Sequence, residues 1–249
     1  MTGDEAPAAI YARWDAPRRV RALTTLRGGG ASQGPYESLN LGGRAGDDPC
    51  RVAENRRRLC TAFNIPSEPV WLKQMHGTRC IDIARAGLAE EADGGFTGSP
   101  GRVCAVLTAD CLPLFVSDDE GSMVGLFHVG WKGLAAGIVE QALSVFAGRP
   151  RIYCWLGPAI GPDAFEIGPE VRDALEAPGN ESCFRPSVNA GRWMADLYSL
   201  VADRLRRGGV DRVSWDETAC TYRDAERFFS YRRSRHCGRM ASLIWIEPS

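Results

Sequence analysis

The stretch Val103-Cys104-Ala105-Val106-Leu107-Thr108-Ala109-Asp110-Cys111-Leu112-Pro113-Leu114-Phe115-Val116, followed by Met123-Val124-Gly125-Leu126-Phe127-His128-Val129-Gly130-Trp131-Lys132-Gly133, decides how the chain folds. Three short segments in it, Val103 to Leu107, Leu112 to Val116 and Met123 to Val129, are dense in Val, Leu and Phe. Short apolar runs bounded by turn residues read as buried strands. The same stretch carries Cys111 and His128, each beside a turn.

Working outward, Val70 to Met75 and Cys80 to Ala84 are strands of the same kind, and Ala9 to Trp14 and Val20 to Thr25 read as earlier ones. Asp47 or Asp48 caps a helix with Pro49 in its first turn, running to about Phe63. On the C-terminal side, Leu134 to Phe146 (LAAGIVEQALSVF) has helical spacing, and Ile152 to Leu156 is a strand. Arg192 to Arg207 reads as an amphipathic helix stopped by Gly208-Gly209. Val210 to Trp215 and Ala241 to Ile246 complete the strands. Strands in pairs, interleaved with helices, predict a mixed-sheet α/β or α+β protein rather than a strict βαβ array. No repeat, low-complexity tract or clear interdomain linker interrupts the chain. The Gly-rich loop from Gly28 to Tyr36 lacks the Gly-Lys-Ser/Thr of a phosphate loop.

Composition bounds the function. A length of 249 residues suffices for a substantial core. A net charge of −1 gives no basis for a nucleic-acid partner. No run of 18 apolar residues exists, so no membrane span is expected, and Met1 to Ala6 has no signal-peptide character. Nine Cys without a Cys-x-x-Cys pair exclude zinc-ribbon and thioredoxin readings. Most sit in apolar runs, as reduced thiols of a cytoplasmic protein do. A monomer or small homo-oligomer is expected.

Three groups carry the chemistry: His76 in Lys73-Gln74-Met75-His76-Gly77, Cys111 in Thr108-Ala109-Asp110-Cys111-Leu112-Pro113, and His128 in His128-Val129-Gly130-Trp131-Lys132-Gly133. The chain has only three His. Two imidazoles and a thiolate form a three-ligand zinc set with an open fourth position. The same groups form a Cys nucleophile with a His base. Asp110 beside Cys111 raises the pKa of a lone thiol, whereas a bound cation deprotonates it, which favours the metal. Asp110 is also placed to orient a liganding imidazole through its second ring nitrogen. The spacings of 35 and 17 residues are not local metal-motif spacings, so the fold must assemble any cluster. Near Gly133, a helix start offers free amides to an anion. In Arg227-Phe228-Phe229-Ser230-Tyr231-Arg232-Arg233, the phenylalanines read as core and Arg232 as an anion-site candidate.

Together several ordered motifs resemble one family. They are Thr24-Thr25 with Gly34-Pro35-Tyr36-x-Ser38-Leu39-Asn40-Leu41-Gly42, Gly46-Asp47-Asp48-Pro49, Glu54-Asn55-Arg56, Gln74-Met75-His76-Gly77, and Asp93-Gly94 with Thr97. They continue with the Cys111 and His128 motifs, Gly157-Pro158-x-Ile160-Gly161-Pro162, and Phe228 to Arg233 with Gly238-Arg239-Met240-Ala241. The chain is similar to the laccase-domain family, once called multicopper polyphenol oxidases and later described as purine nucleoside phosphorylases. The match runs from about Leu23 to Ile246. It implies one domain across 1–249 with layered mixed β-sheets flanked by helices, a fold shared with cysteine hydrolases. It implies zinc on the residues matching His76, Cys111 and His128. It further implies phosphorolysis of adenosine, inosine and guanosine, cleavage of methylthioadenosine and deamination of adenosine.

On this reading, purine nucleosides and phosphate are the partners. Cys111, His128, His76 and Asp110 are the catalytic candidates. Asn40, Arg44, Trp131, Lys132 and Arg232 are candidates for binding substrate, and Trp131 or Tyr36 for stacking on the base. A second reading is a cysteine-type amide hydrolase acting on a peptidoglycan precursor, with Cys111 as nucleophile and His128 as base. A third is a module in which zinc, closed by a further Cys, only ties strands together. The chain departs from the family pattern at Arg44-Ala45, where His-Val is frequent, at Lys132 in place of Arg, and at Cys237 in place of Thr. Lys lacks the bidentate fork that Arg offers phosphate. Two His and one Cys also suit a single copper, but three His cannot build a multicopper centre.

Overall fold

Apolar side chains on both faces of two sheets dictate layers rather than a single sandwich. The computed structural model describes residues 6–85 and 90–248. Residues 1–5, on which the reading of the N-terminus rests, lie outside them. In chain order the elements are β1 (Ala9–Tyr11), β2 (Val20–Thr25), α1 (Pro49–Ala62), β3 (Val70–Trp71), β4 (Cys80–Asp82), β5 (Gly94–Thr97), β6 (Val103–Thr108), β7 (Leu112–Asp118) and β8 (Val124–Val129). There follow α2 (Trp131–Ala136), α3 (Ile138–Val145), β9 (Ile152–Leu156), β10 (Glu166–Ile167), α4 (Pro169–Leu175), β11 (Phe184–Pro186), β12 (Trp193–Ala195), α5 (Leu197–Arg207), β13 (Val213–Trp215) and β14 (Met240–Ile246).

Five strands pair in the order β1-β2-β14-β6-β3 and six in the order β13-β9-β7-β8-β5-β4. Both sheets are mixed: β3 runs parallel to β6, and β4 to β5, while β14 and β7 are antiparallel to their neighbours. A small sheet β10-β12-β11 stands apart. The expected mixed α/β architecture is the observed one.

Between the large sheets, Val106, Phe115, Leu126, Trp155 and Ile244 form one core. The rings of Phe115 and Trp155 meet at 4.8 Å. Such a pair adds about 0.5–1.5 kcal/mol beyond its area burial. On the outer face of the five-stranded sheet, Leu23, Leu243 and Trp245 pack with Leu59 of α1. On the outer face of the six-stranded sheet, Leu114 and Phe127 pack with residues of α2, α3, α4 and α5. The order is therefore helix, sheet, sheet, helices.

Local signals explain most boundaries. Asp48 caps α1 by accepting from the Cys50 amide at 2.8 Å, with Pro49 in the first turn. Buried Asn55 on α1 donates to Ser32 Oγ, Ser38 O and Asn40 O and accepts from the Ala31 amide. The Gly-rich loop is thereby tied to the core.

Several expectations change. The helix expected from Leu134 to Phe146 begins at Trp131 and is two helices, because Gly137 takes φ +98° and ends α2. The helix expected from Arg192 begins at Leu197. Trp193–Ala195 pairs with β10 and β11, and Asp196 caps the helix by accepting from Ser199. The strand expected from Val70 to Met75 ends at Trp71. Strand β5 escapes pattern reading because glycines disfavour strands. A Cβ at Gly94 would lie 2.4 Å from Phe127, so only glycine allows β8 to approach there. Among the described residues no helix is long and apolar enough to cross a membrane.

Candidate metal centre and its cavity

The chain passes from the five-stranded to the six-stranded sheet between β6 and β7, and Cys111 lies in that crossing. Asp110 turns the chain with φ +98°, a left-handed backbone uncommon outside glycine. Four contacts hold it there. Its carboxylate accepts from Thr221 Oγ1 (2.7 Å), Ser230 Oγ (3.0 Å) and the Arg232 amide (2.7 Å), and its carbonyl accepts from the Ile160 amide (3.0 Å). Asp110 therefore does not orient an imidazole; its carboxylate secures the C-terminal wall.

His128 sits near the end of β8, opposite Pro113 of β7. His76 lies in the loop after β3 with φ +60°. Where strand pairing stops, the Gln74 side chain substitutes for it. Its Nε2 donates to Leu107 O, and its Oε1 accepts from the Leu107 amide, both at 2.8 Å.

Buried Asp93, just before β5, organises both imidazoles. One carboxylate oxygen accepts from the amides of Met75 (3.0 Å) and Gly77 (2.8 Å). The other accepts from the His76 amide (2.9 Å) and lies 2.8 Å from His128 Nδ1. That contact places the His128 proton on Nδ1 and turns Nε2 toward the cluster.

The ligand atoms of His76, Cys111 and His128 all lie within 4.8 Å of one another. Cys111 Sγ is 3.9 Å from His76 Nε2, and the two imidazole rings meet edge-on at 4.7 Å. Bare backbone at Gly130 makes the room. A Cβ there would stand 2.9 Å from His76 Cδ2 and 3.1 Å from Cys111 Sγ. Gly130→Ala is expected to keep the fold and lower metal affinity by about tenfold to a hundredfold, the range for disturbed supporting groups. Competition with a chromophoric chelator measures this.

Electrostatics also prepare the cluster. Burial pushes the Cys111 thiol up, but His128 and His76 outweigh it and hold the thiol at about 6. Burial pushes His128 down, yet the Cys111 thiolate and Asp93 carry it up to about 9. At neutral pH the metal-free pair is therefore a Cys111 thiolate beside a His128 imidazolium, and an ion that binds displaces the imidazolium proton. Thiolate and imidazoles, one of them seated on a carboxylate, are the donors zinc takes, and they also suit copper. The residues present fit such an ion with one side open. Among the described residues no fourth side chain joins the group, which speaks against a closed structural site.

The open side faces a cavity of about 1060 Å³ lined by His76, Cys111 and His128. Of the residues expected to bind substrate, Arg44, Trp131, Lys132 and Arg232 line it. Asn40 does not. It is fully buried, donating to Asp47 and accepting from the amides of Gly42 and Arg239. Tyr36 is also outside the lining, with its hydroxyl packed against Gly46.

Sequence reading passed over Asp93 and Gly130 as site residues, and Tyr231, Arg235 and Arg239 of the cavity wall. The clues were an acid directly before a Gly-Gly strand and a basic segment rich in aromatics. Neither states a partner.

The multi-copper polyphenol oxidoreductase laccase family model matches residues 21–247. Purine nucleoside phosphorylase YfiH of Escherichia coli (strain K12) is 45% identical over 239 residues, covering 95% of this chain and 98% of that protein. Purine nucleoside phosphorylase PA4543 of Pseudomonas aeruginosa is 47% identical over 237 residues, covering 94% and 96%. The crystal structure of Neisseria meningitidis protein NMB0706 matches with a TM-score of 0.90 at 40% identity, covering 96% of this chain and 99% of that one.

Proposed function

Since the chain belongs to the multi-copper polyphenol oxidoreductase laccase family, with relatives named purine nucleoside phosphorylases, we propose that it is a zinc-dependent purine nucleoside phosphorylase. One observation carries the reading: the cavity at the His–Cys–His cluster is built for an anion. Three segments bring basic side chains to its wall: Arg44, Arg56 and Lys73 from the first, Lys132 from the second, and Arg232, Arg235 and Arg239 from the third. Among the described residues Asp110 is the one acid in the lining, and its carboxylate is already engaged. Arg44, Lys132 and Arg235 form no ion pair among the described residues, which leaves them available to phosphate. Arg56, by contrast, bonds Leu41 O, and Lys73 pairs with Glu91.

His76, Cys111 and His128 hold the zinc in this reading. When bound, zinc polarises an oxygen at its open position. The chain's own part is to hold phosphate and nucleoside together. The basic wall gathers the phosphate and offsets its charge, so that one of its oxygens reaches C1′ of the ribose. The C1′–O bond forms as the bond to the purine nitrogen breaks, and the proton given up by the hydrogenphosphate is the one the departing base gains. Lys132 contributes a point charge rather than a fork. Adenosine, inosine, guanosine and methylthioadenosine are the substrates proposed, and adenosine deamination, in which water replaces the amino group, is assigned to the same site. The activity is placed in a single domain of a cytoplasmic protein, a setting consistent with nine free cysteines.

Purified protein given inosine and phosphate should release hypoxanthine, lose that activity on chelation and regain it with zinc. Absence of hypoxanthine would sink the reading. A second reading, a metal-free cysteine hydrolase, is favoured by the depressed Cys111 thiol beside His128. Activity that survives chelation but ends on thiol alkylation would establish it.

A further inference from the structure

We infer that the Tyr231 ring is the platform on which the planar base of the substrate stacks, an assignment that rests on the purine reading above. Among the described residues the exposed large apolar side chains are Tyr11, Met75, Val188, Tyr222 and Tyr231. Of these, Met75 and Tyr231 line the cavity. Tyr231 is 48% exposed, although an aromatic ring left in water forgoes a large burial gain.

Its two chain neighbours are nevertheless both held by one oxygen atom. Ser230 Oγ donates to Asp110 Oδ2 at 3.0 Å, and the Arg232 amide donates to the same oxygen at 2.7 Å. Upstream, Phe228 and Phe229 anchor the segment in the core. Beyond it, the Arg232 guanidinium bonds the carbonyls of Ala164 and Glu166. The Arg239 guanidinium stands over the Tyr231 ring, 5.7 Å from its centroid. The segment that carries the exposed ring is thus fixed on both sides of it, and Asp110, which fixes it, directly precedes Cys111.

Ordering such a surface in advance removes an entropic cost from binding. A flat base is the ligand class that uses it, because every base offers a π-face to an aromatic ring. The alternatives suggested by the sequence fit less well. Trp131 lines the cavity but is partly buried against the core beneath the six-stranded sheet, and Tyr36 lies outside the cavity.

The test is calorimetry of the zinc-loaded protein with hypoxanthine and, separately, with inorganic phosphate. Tyr231→Ala should weaken hypoxanthine binding by about tenfold to a hundredfold, the scale of one lost stack. Phosphate affinity and zinc content should stay close to wild type. Tyr231→Phe, which keeps the ring, should lose less than about threefold. Wild-type hypoxanthine affinity in Tyr231→Ala would overturn the assignment. If that variant folds poorly, Tyr231→Leu keeps the bulk without the ring, and wild-type affinity there would overturn it equally. A wild-type protein that binds no purine base also overturns it. One that binds hypoxanthine through Tyr231 but does not phosphorolyse inosine leaves the platform standing and removes the phosphorylase reading alone.

Discussion

Cys111→Ala should lower inosine phosphorolysis by about a thousandfold or more and strip the protein of tightly held zinc. Two imidazoles remain, which is fewer than a catalytic zinc takes from its protein. The fold should survive, because Cys111 is only half-buried and the crossing is held by Asp110 and its partners. Metal analysis beside steady-state kinetics reads both effects.

The wild-type thiol offers a parallel measurement. In metal-free protein, iodoacetamide should label Cys111 with a half-maximal rate near pH 6, because the thiolate fraction grows as pH rises through its depressed value. Burial raises the thiols of Cys80 to about 12 and Cys183 to about 11, and it raises Cys104 and Cys154 further, so these should stay unlabelled at pH 7. Zinc should protect Cys111. Peptide mapping by mass spectrometry decides. Labelling of Cys111 only above pH 8 would show that the imidazoles do not hold a thiolate.

Asp93→Ala should destabilise the metal-free protein by about 3–5 kcal/mol, the range for removing one partner of a buried charged pair. All four acceptor positions of the carboxylate are filled, by three amides and one imidazole. Asp93→Asn keeps the shape but turns an NH₂ toward two donors, whichever way the amide flips, so it should also be destabilised. The pH dependence has a definite sign. Burial pushes the Asp93 carboxyl up, but the bond from His128 and the amides outweigh it and hold it below its ordinary value. Its contribution is therefore present above the ordinary carboxylate range and is lost as pH falls through the depressed value. The stability gap between wild type and Asp93→Asn, read by urea unfolding, should be largest near neutrality and should close on acidification. A gap independent of pH would show that the charge of Asp93 is not what matters.

These outcomes rest on different depths of reading. The strands around Cys111, the capped helix α1 and the three candidate ligands were legible in the sequence. Buried strands announce themselves by apolar density, a helix start by Asp-Pro, and a ligand by a scarce residue type set among glycines. The break at Gly137 and the early start of α2 were not, since a glycine inside a helical pattern does not state which backbone region it takes. Asp110 was assigned the duty that Asp93 performs. Adjacency to Cys111 made Asp110 the natural choice, but adjacent residues point different ways across a turn.

The sequence alone therefore determined which side chains could form a centre, and through its motif order the family whose chemistry that centre resembles. Caps, strand ends and the supply of thiol and imidazole all depend on local bonding, which a linear chain displays. Only the tertiary structure decided that His76, Cys111 and His128 meet, that Asp93 seats two of them, and that Asp110 instead holds Ser230 and Arg232, the neighbours of Tyr231 at the cavity. Asp93 reaches its partner in β8 across 35 residues, and Asp110 its partners across 111 to 122. Such contacts are closed by sheet pairing, and a carboxylate carries no mark in the sequence of which distant donor the sheets will bring to it.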